Sequence, residues 1–305
     1  MKKIDAHCHL IEVIAGFSGR GELRGVGGGR ARWADGEVFT LIPPEFGDRA
    51  FTADSLAAAM EKNGVDKAVL LQGSLYGFQN EYSLDEAHKR PDMFVPAVTV
   101  DPYSKNARSL LERFLTERKA SIVKFEVSAG AGLMSFHTAF ALDGPVTADL
   151  FAIIHSAGAT LTLDIGAYGT ESHRPQAVAA VAKRYPDMRI VVCHLLLPNT
   201  GPESEKTFRE EIKMLKLPNV WFDLAALPYF FAHENYPYPS ALKFIAAARE
   251  ITGAKKLIWG SDIPYALVNC SYGQSMRYIE ESGLFTDTEL EDVFRHNAED
   301  AYSLR

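Results

Sequence analysis

The sequence predicts an α/β protein built as a distorted (β/α)8 (TIM) barrel. Three observations carry this: eight short β-type runs spread over almost the whole length, helical patterns with start and stop signals between them, and a length of 305 residues, which one barrel fills. The runs fall at 3–9, 67–72, 94–98, 121–127, 160–165, 189–194, 220–224 and 256–259. After the first, Leu56 and Met60 stand at i and i+4 and Asn63-Gly64 ends the helix. After the fifth, a helix over 177–185 is entered by Pro175 and closed by Pro186. A single domain over 1–305 follows, with two loop insertions beyond a minimal barrel, at 11–48 and 130–145. The first contains Gly25-Val26-Gly27-Gly28-Gly29 with no Lys-Ser or Lys-Thr after it, so it reads as a flexible lid and not as a phosphate cradle.

Composition narrows the function. Hydrophobic residues make up 47% and charged residues 23%, an ordinary globular balance that supplies a large core. Lys plus Arg total 32 against 39 Asp plus Glu, a net charge of -7, which argues against nucleic acid or anionic lipid as partner. Three cysteines, Cys8, Cys193 and Cys270, form no disulfide framework and suit the cytoplasm. The start, Met-Lys-Lys followed by Ile4-Asp5-Ala6-His7-Cys8-His9, reads as strand and not as a secretion signal, and the apolar run 224–232 is too short to span a bilayer.

Strand alternation places Asp5, His7 and His9 on one face and Ala6 and Cys8 on the other, so two imidazoles converge at the end of the first strand, where barrel active sites form. Paired neutral imidazoles suit Zn or another divalent metal, although His-x-His alone is equally a pair of polar strand-end residues. In the sixth run, Ile190, Val192 and His194 share a face, with His194 at the end. The eighth runs into Gly260-Ser261-Asp262-Ile263-Pro264, which leaves Asp262 at the strand end as ligand, base or both. The fourth puts Ile122, Lys124 and Glu126 on one face, a Lys-Glu pair that is costly to bury unless paired or in contact with substrate. In the first loop, Arg24, Arg30 and Arg32 are candidates to clamp a substrate carboxylate, and Tyr76 and Tyr265 to offer hydroxyls. Cys8 and Cys193 are expected to pack between barrel and helices; His88, His137, His155 and His233 have no converging partners.

The chain resembles the amidohydrolase superfamily, specifically the amidohydrolase-2 type with its aminocarboxymuconate semialdehyde decarboxylase-like enzymes and lactone hydrolases. The likeness rests on Ile4-Asp5-Ala6-His7-Cys8-His9, Arg90-Pro91-Asp92-Met93-Phe94-Val95 before Val100-Asp101-Pro102, Val192-Cys193-His194, Trp259-Gly260-Ser261-Asp262-Ile263-Pro264, and His296-Asn297-Ala298. It implies one divalent metal, Zn first with Mn or Fe as alternatives, held by His7, His9, a residue ending the fifth strand and Asp262, with His194 beside the substrate. The family usually has His at the end of the fifth strand; here Thr160-Leu161-Thr162-Leu163-Asp164 puts Asp164 there, and His173 follows in the loop. Asp164 as a fourth, oxygen ligand would reduce the net charge of the metal centre.

The expected activity is hydrolysis of a small cyclic, lactone- or amide-like and carboxylated substrate, with Asp262 and His194 catalytic and Arg32, Tyr76, Lys124 and Glu126 in contact with substrate. The segments Leu71-Gln72-Gly73-Ser74-Leu75-Tyr76-Gly77 and Asn80-Glu81-Tyr82 are similar to the second-strand loop of the lactone-hydrolysing members. Non-oxidative decarboxylation of a small aromatic or unsaturated acid on the same residues is the alternative, and a barrel that has lost its metal and serves in binding is a third. The expected partner is the small-molecule substrate, with a second copy of the chain in a homodimer.

Overall fold

The computed structural model describes residues 1–304 and contains twelve strands among them. In chain order these are β1 (Ile4–Cys8), β2 (Phe17–Ser18), β3 (Gly21–Gly27), β4 (Arg30–Trp33), β5 (Val38–Thr40), β6 (Lys67–Leu70), β7 (Phe94–Val98), β8 (Ile122–Glu126), β9 (Thr160–Asp164), β10 (Ile190–Val192), β11 (Val220–Asp223) and β12 (Leu257–Ile258). Eight of them, β1 and β6 to β12, form one parallel sheet in that order. The sheet closes through a parallel bridge between Cys8 and Ile263 and the Ala6 N–H to the Trp259 carbonyl (3.2 Å). This is the predicted TIM barrel.

Helices between the strands end where the sequence says they should. Ala53–Asn63 begins at Thr52, whose side chain accepts from the Ser55 N–H, and stops at Gly64, whose φ of 68° glycine takes with the least strain. Pro175–Arg184 carries its proline in the first turn. The barrel interior at the N-terminal end is filled by Ile4, Ala6, Val69, Ala97, Ile122 and Val191 and stoppered by Tyr302 of the last helix. With that end packed solid, the opposite mouth is where a site can form. No helix among the described residues is long and apolar enough to cross a membrane, and all three cysteines are free and buried.

The expectation of a flexible lid over 11–48 is corrected. This segment contains a four-stranded antiparallel sheet, β2-β3-β4-β5. Gly28 and Gly29, with φ of 63° and 70°, make the two-residue turn between β3 and β4, and the glycine run is therefore a hairpin connection. Alternation does the rest: Leu23, Ala31 and Trp33 are buried beneath the sheet, and Arg24, Arg30 and Arg32 point to solvent. Apolar burial on one face fixes a sheet that the glycine content had masked.

Candidate active site

Three strand ends meet first. His7 and His9 leave β1, and Asp262 follows β12, with His9 Nε2 at 3.0 Å and His7 Nε2 at 3.6 Å from Asp262 Oδ1. The partners on the far side of each ring assign the tautomers. His9 Nδ1 donates to the Leu71 carbonyl (3.0 Å), which can only accept, and His7 Nδ1 donates to Asp223 Oδ2 (3.0 Å). Burial, with the nearby Lys124 ammonium second, lowers the pKa of both histidines, so both are neutral and both Nε2 atoms present lone pairs. Three ligand atoms without a proton between them lie within 4.8 Å of one another. Such a set is repulsive unless a cation sits in it, and its two imidazoles and one carboxylate fit a divalent ion such as zinc. Lys124 Nζ, donating to His7 Nε2 at 3.2 Å, holds one of these lone pairs.

Gly260 makes room for this cluster. A Cβ there would lie 2.7 Å from His7 Cβ and 3.0 Å from the His7 backbone nitrogen, atoms that cannot rotate away. Gly260→Ala is expected to cost about 1–3 kcal/mol, read from urea denaturation, by pushing β1 outward.

His194 stands opposite, its ring stacked on His7 with centroids 4.7 Å apart. It faces an acceptor on each side: Nδ1 donates to the Ala225 carbonyl (3.2 Å), and Nε2 lies 3.5 Å from Asp164 Oδ2. Burial opposes its charge most strongly, but Asp164, with Asp262 and Asp223 behind it, outweighs burial and lifts the pKa to about 9, so His194 is an imidazolium at neutral pH. Burial likewise pushes the Asp262 carboxyl up, and the neighbouring His194 imidazolium holds it below the usual carboxylate range. Asp164 is also lowered, against burial, by His194. Because folding raises the pKa of His194, its contribution to stability is complete below its ordinary 6.5 and is lost as pH rises through about 9. Removing the partner charge with Asp164→Asn is expected to move the alkaline decline in thermal stability from near pH 9 toward neutrality; an unmoved profile would uncouple the pair.

A cavity of about 410 Å³ opens over these groups. His9, Lys124, Glu126, Asp164, His194 and Asp262 form its floor. Tyr76, Tyr229, Phe230 and Tyr265 wall it, and the small sheet roofs it with Arg20, Trp33, Glu37 and Phe39.

The Amidohydrolase family model matches residues 4–304. The chain belongs to the amidohydrolase family. An L-fucono-1,5-lactonase of Burkholderia ambifaria is 28% identical over 240 residues, 76% of this chain and 77% of the relative. Among solved structures, a probable 2-pyrone-4,6-dicarboxylic acid hydrolase of Acinetobacter baumannii with citric acid bound superimposes with a TM-score of 0.71 at 16% identity, over 99% of this chain and 100% of the other. A Burkholderia multivorans amidohydrolase with bound zinc gives 0.71 at 18% identity, over 99% of each chain. These likenesses at low identity concern the fold; membership and the lactonase relative make the protein a hydrolytic enzyme.

The amidohydrolase brings together most of the residues singled out from its sequence, by a different geometry in places. Asp5 does not share the face of His7 and His9: the register of β1 shifts between Asp5 and Cys8, and the Asp5 carboxylate turns away to accept from Ser261 N–H (2.9 Å) and the Tyr272 hydroxyl (2.7 Å). Ile190 and Val192 face the outer layer, so plain alternation would send His194 there too. Instead, residues 194–197 all have φ between 47° and 66°, a left-handed turn that swings the ring into the mouth. Asp223 Oδ1 anchors that turn by accepting from the His194 N–H (2.7 Å). Cys193, expected between barrel and helices, faces the interior, its sulfur grouped with His7 and Asp223.

Asp164 pairs with His194 and does not join the cluster of His7, His9 and Asp262. His173 is neither ligand nor solvated; it is buried between the Gly166 carbonyl (3.2 Å) and Glu211 (3.0 Å). Arg32 lies outside the cavity, on the solvent face of β4, because Trp33 takes the inward position. Tyr76 packs on His9 with ring centroids 4.7 Å apart, and Glu126 accepts from the Ser74 N–H (2.7 Å). Lys124 reaches His7 in place of a direct pair with Glu126. His137, expected to lack a partner, bonds Asp101 at 2.9 Å. Contributors that went unread include Asp223, the next-to-last residue of the seventh run, Tyr229 on the wall, and Arg20 and Glu37, which no local pattern marks.

Proposed function

We propose that this amidohydrolase is a metal-dependent hydrolase that opens a small lactone ring. The observation that carries the reading is the three-acceptor cluster of His7, His9 and Asp262 on the floor of a cavity whose opposite side holds a charged His194. The lactonase relative supports the same class. His7, His9 and Asp262 would hold a divalent ion, zinc by their donor set, and such an ion would supply Lewis acidity there.

The protein's residues supply the rest. With Asp262 Oδ1 turned to His9, its other oxygen takes the proton of the attacking water. The imidazolium of His194 donates toward the oxygen on which negative charge develops. Water oxygen bonds to the carbonyl carbon, the ring C–O bond breaks, and the proton held by Asp262 passes to the departing oxygen, giving a hydroxy acid. Asp223 positions His7, and Asp164 keeps His194 charged. Glu126, Tyr76 and Lys124 line the substrate space; Arg32 is not part of this reading.

The test is acid release in a pH-stat from a panel of five- and six-membered lactones, with and without chelator, beside carbon dioxide release from small aromatic acids. Lactone opening abolished by chelator is expected. Carbon dioxide without lactone opening would turn the reading to decarboxylation. Neither activity, with a melting temperature indifferent to chelator, would leave a binding protein.

A further inference from the structure

The small sheet does more than roof the cavity; it delivers charge to it. Arg20 lies in the connection between β2 and β3, and Glu37 immediately before β5, and both line the space above the floor. Arg20 is held by two carboxylates. Its Nε donates to Asp35 Oδ2 at 2.6 Å, its Nη1 pairs with Glu37, and its guanidinium stacks over Trp33 at 5.9 Å. Two carboxylates on one guanidinium leave this corner with net negative charge. The side chains of Arg20 and Glu37 are 37% and 52% exposed, so the pair adds little to the stability of the fold. Its placement at the cavity therefore calls for another account.

The remaining cations of the cavity are engaged as well. Lys124 is buried against His7, and His194 lies against Asp164. Among the described residues, each cation lining the cavity therefore already faces a partner that competes for it with a substrate carboxylate. Acceptors and hydroxyls are plentiful instead: Glu37, Glu126, Tyr76, Tyr229 and Tyr265. Glu126 Oε1 has only a long contact with the Ser128 hydroxyl (3.4 Å), so its lone pairs remain for a hydroxyl donor.

We propose that Glu37, paired with Arg20, is a charge filter that makes this site selective for uncharged, hydroxyl-bearing lactones over carboxylated ones. The proposal rests on the lactone-hydrolase reading and reverses its sequence-based expectation of a carboxylated substrate. Glu37 repels a ring carboxylate and keeps Arg20 from binding it, while the carboxylates and tyrosines accept and donate to ring hydroxyls.

The test uses two matched lactones, an aldonolactone and the aldarolactone of the same ring, which differ only in a terminal CH2OH against a carboxylate. The native enzyme is expected to favour the aldonolactone in kcat/KM by about tenfold or more. Glu37→Gln is expected to narrow that ratio about five- to tenfold, chiefly through the KM of the charged ring, and Glu37→Asp to retain the native ratio. A native preference for the charged ring, or a ratio unmoved by Glu37→Gln, overturns the filter. If neither lactone is opened, the lactone-hydrolase reading fails, and calorimetry with the matching lactams decides the filter separately. Tighter binding of the neutral lactam, with the difference reduced in Glu37→Gln, upholds it; equal binding, or binding of neither, overturns it.

Discussion

Asp262→Asn is expected to lower kcat/KM by roughly 100- to 10,000-fold, the range for loss of a general base, with the barrel still folded. The amide keeps the shape of the carboxylate and removes the negative charge. Asp262 is held ionised beside the His194 imidazolium, its carboxyl below the usual range, so it is available to accept a proton throughout the neutral range. Its backbone φ of 60° places the carboxylate at the rim, a left-handed conformation that asparagine also tolerates. The loss should therefore fall on turnover and on metal occupancy, with little change in melting temperature of the metal-free protein. Activity within a factor of about three of native, below the smallest loss a general base produces, would remove Asp262 from the proton-transfer role.

Metal content separates the ligand set from its surroundings. One equivalent of divalent ion per chain is expected by elemental analysis, with His9→Ala and His7→Ala losing it. Asp164→Ala is expected to retain it, because Asp164 faces His194 and lies outside the cluster. Asp223→Asn is expected to weaken metal affinity about 10- to 100-fold, since the amide no longer holds the Nδ1–H of His7 as a carboxylate does and the ring is free to turn. Metal lost in Asp164→Ala would return Asp164 to the ligand set. Metal bound to native strength in Asp223→Asn would make the Asp223–His7 contact one of packing alone.

Much of the fold was legible because barrel strands and helices declare themselves locally. A run such as Ile190-Val191-Val192, or a Thr52 cap with Gly64 closing the helix, needs no knowledge of the rest of the chain. The same holds for which residues reach the mouth: strand ends become the rim of any closed barrel, so His9, His194 and Asp262 were legible from position alone. Face assignments failed where the backbone departs from simple alternation. The register shift in β1 separates Asp5 from His7, and the left-handed run at 194–197 turns His194 inward after a strand whose alternation points it outward.

Local pattern along the chain was enough for the barrel, its polarity and the residue types that gather at one end, because periodicity, capping and strand length act over a few residues. Which of those residues are partners was set by the closed barrel. Asp164 became the counter-ion of His194, Asp223 the anchor of His7, and the glycine-rich first loop a sheet that carries Arg20 and Glu37 over the cavity. Each of those outcomes depends on groups tens of residues or more apart in the chain, and charge, desolvation and one-sided burial assign them only once the barrel has closed.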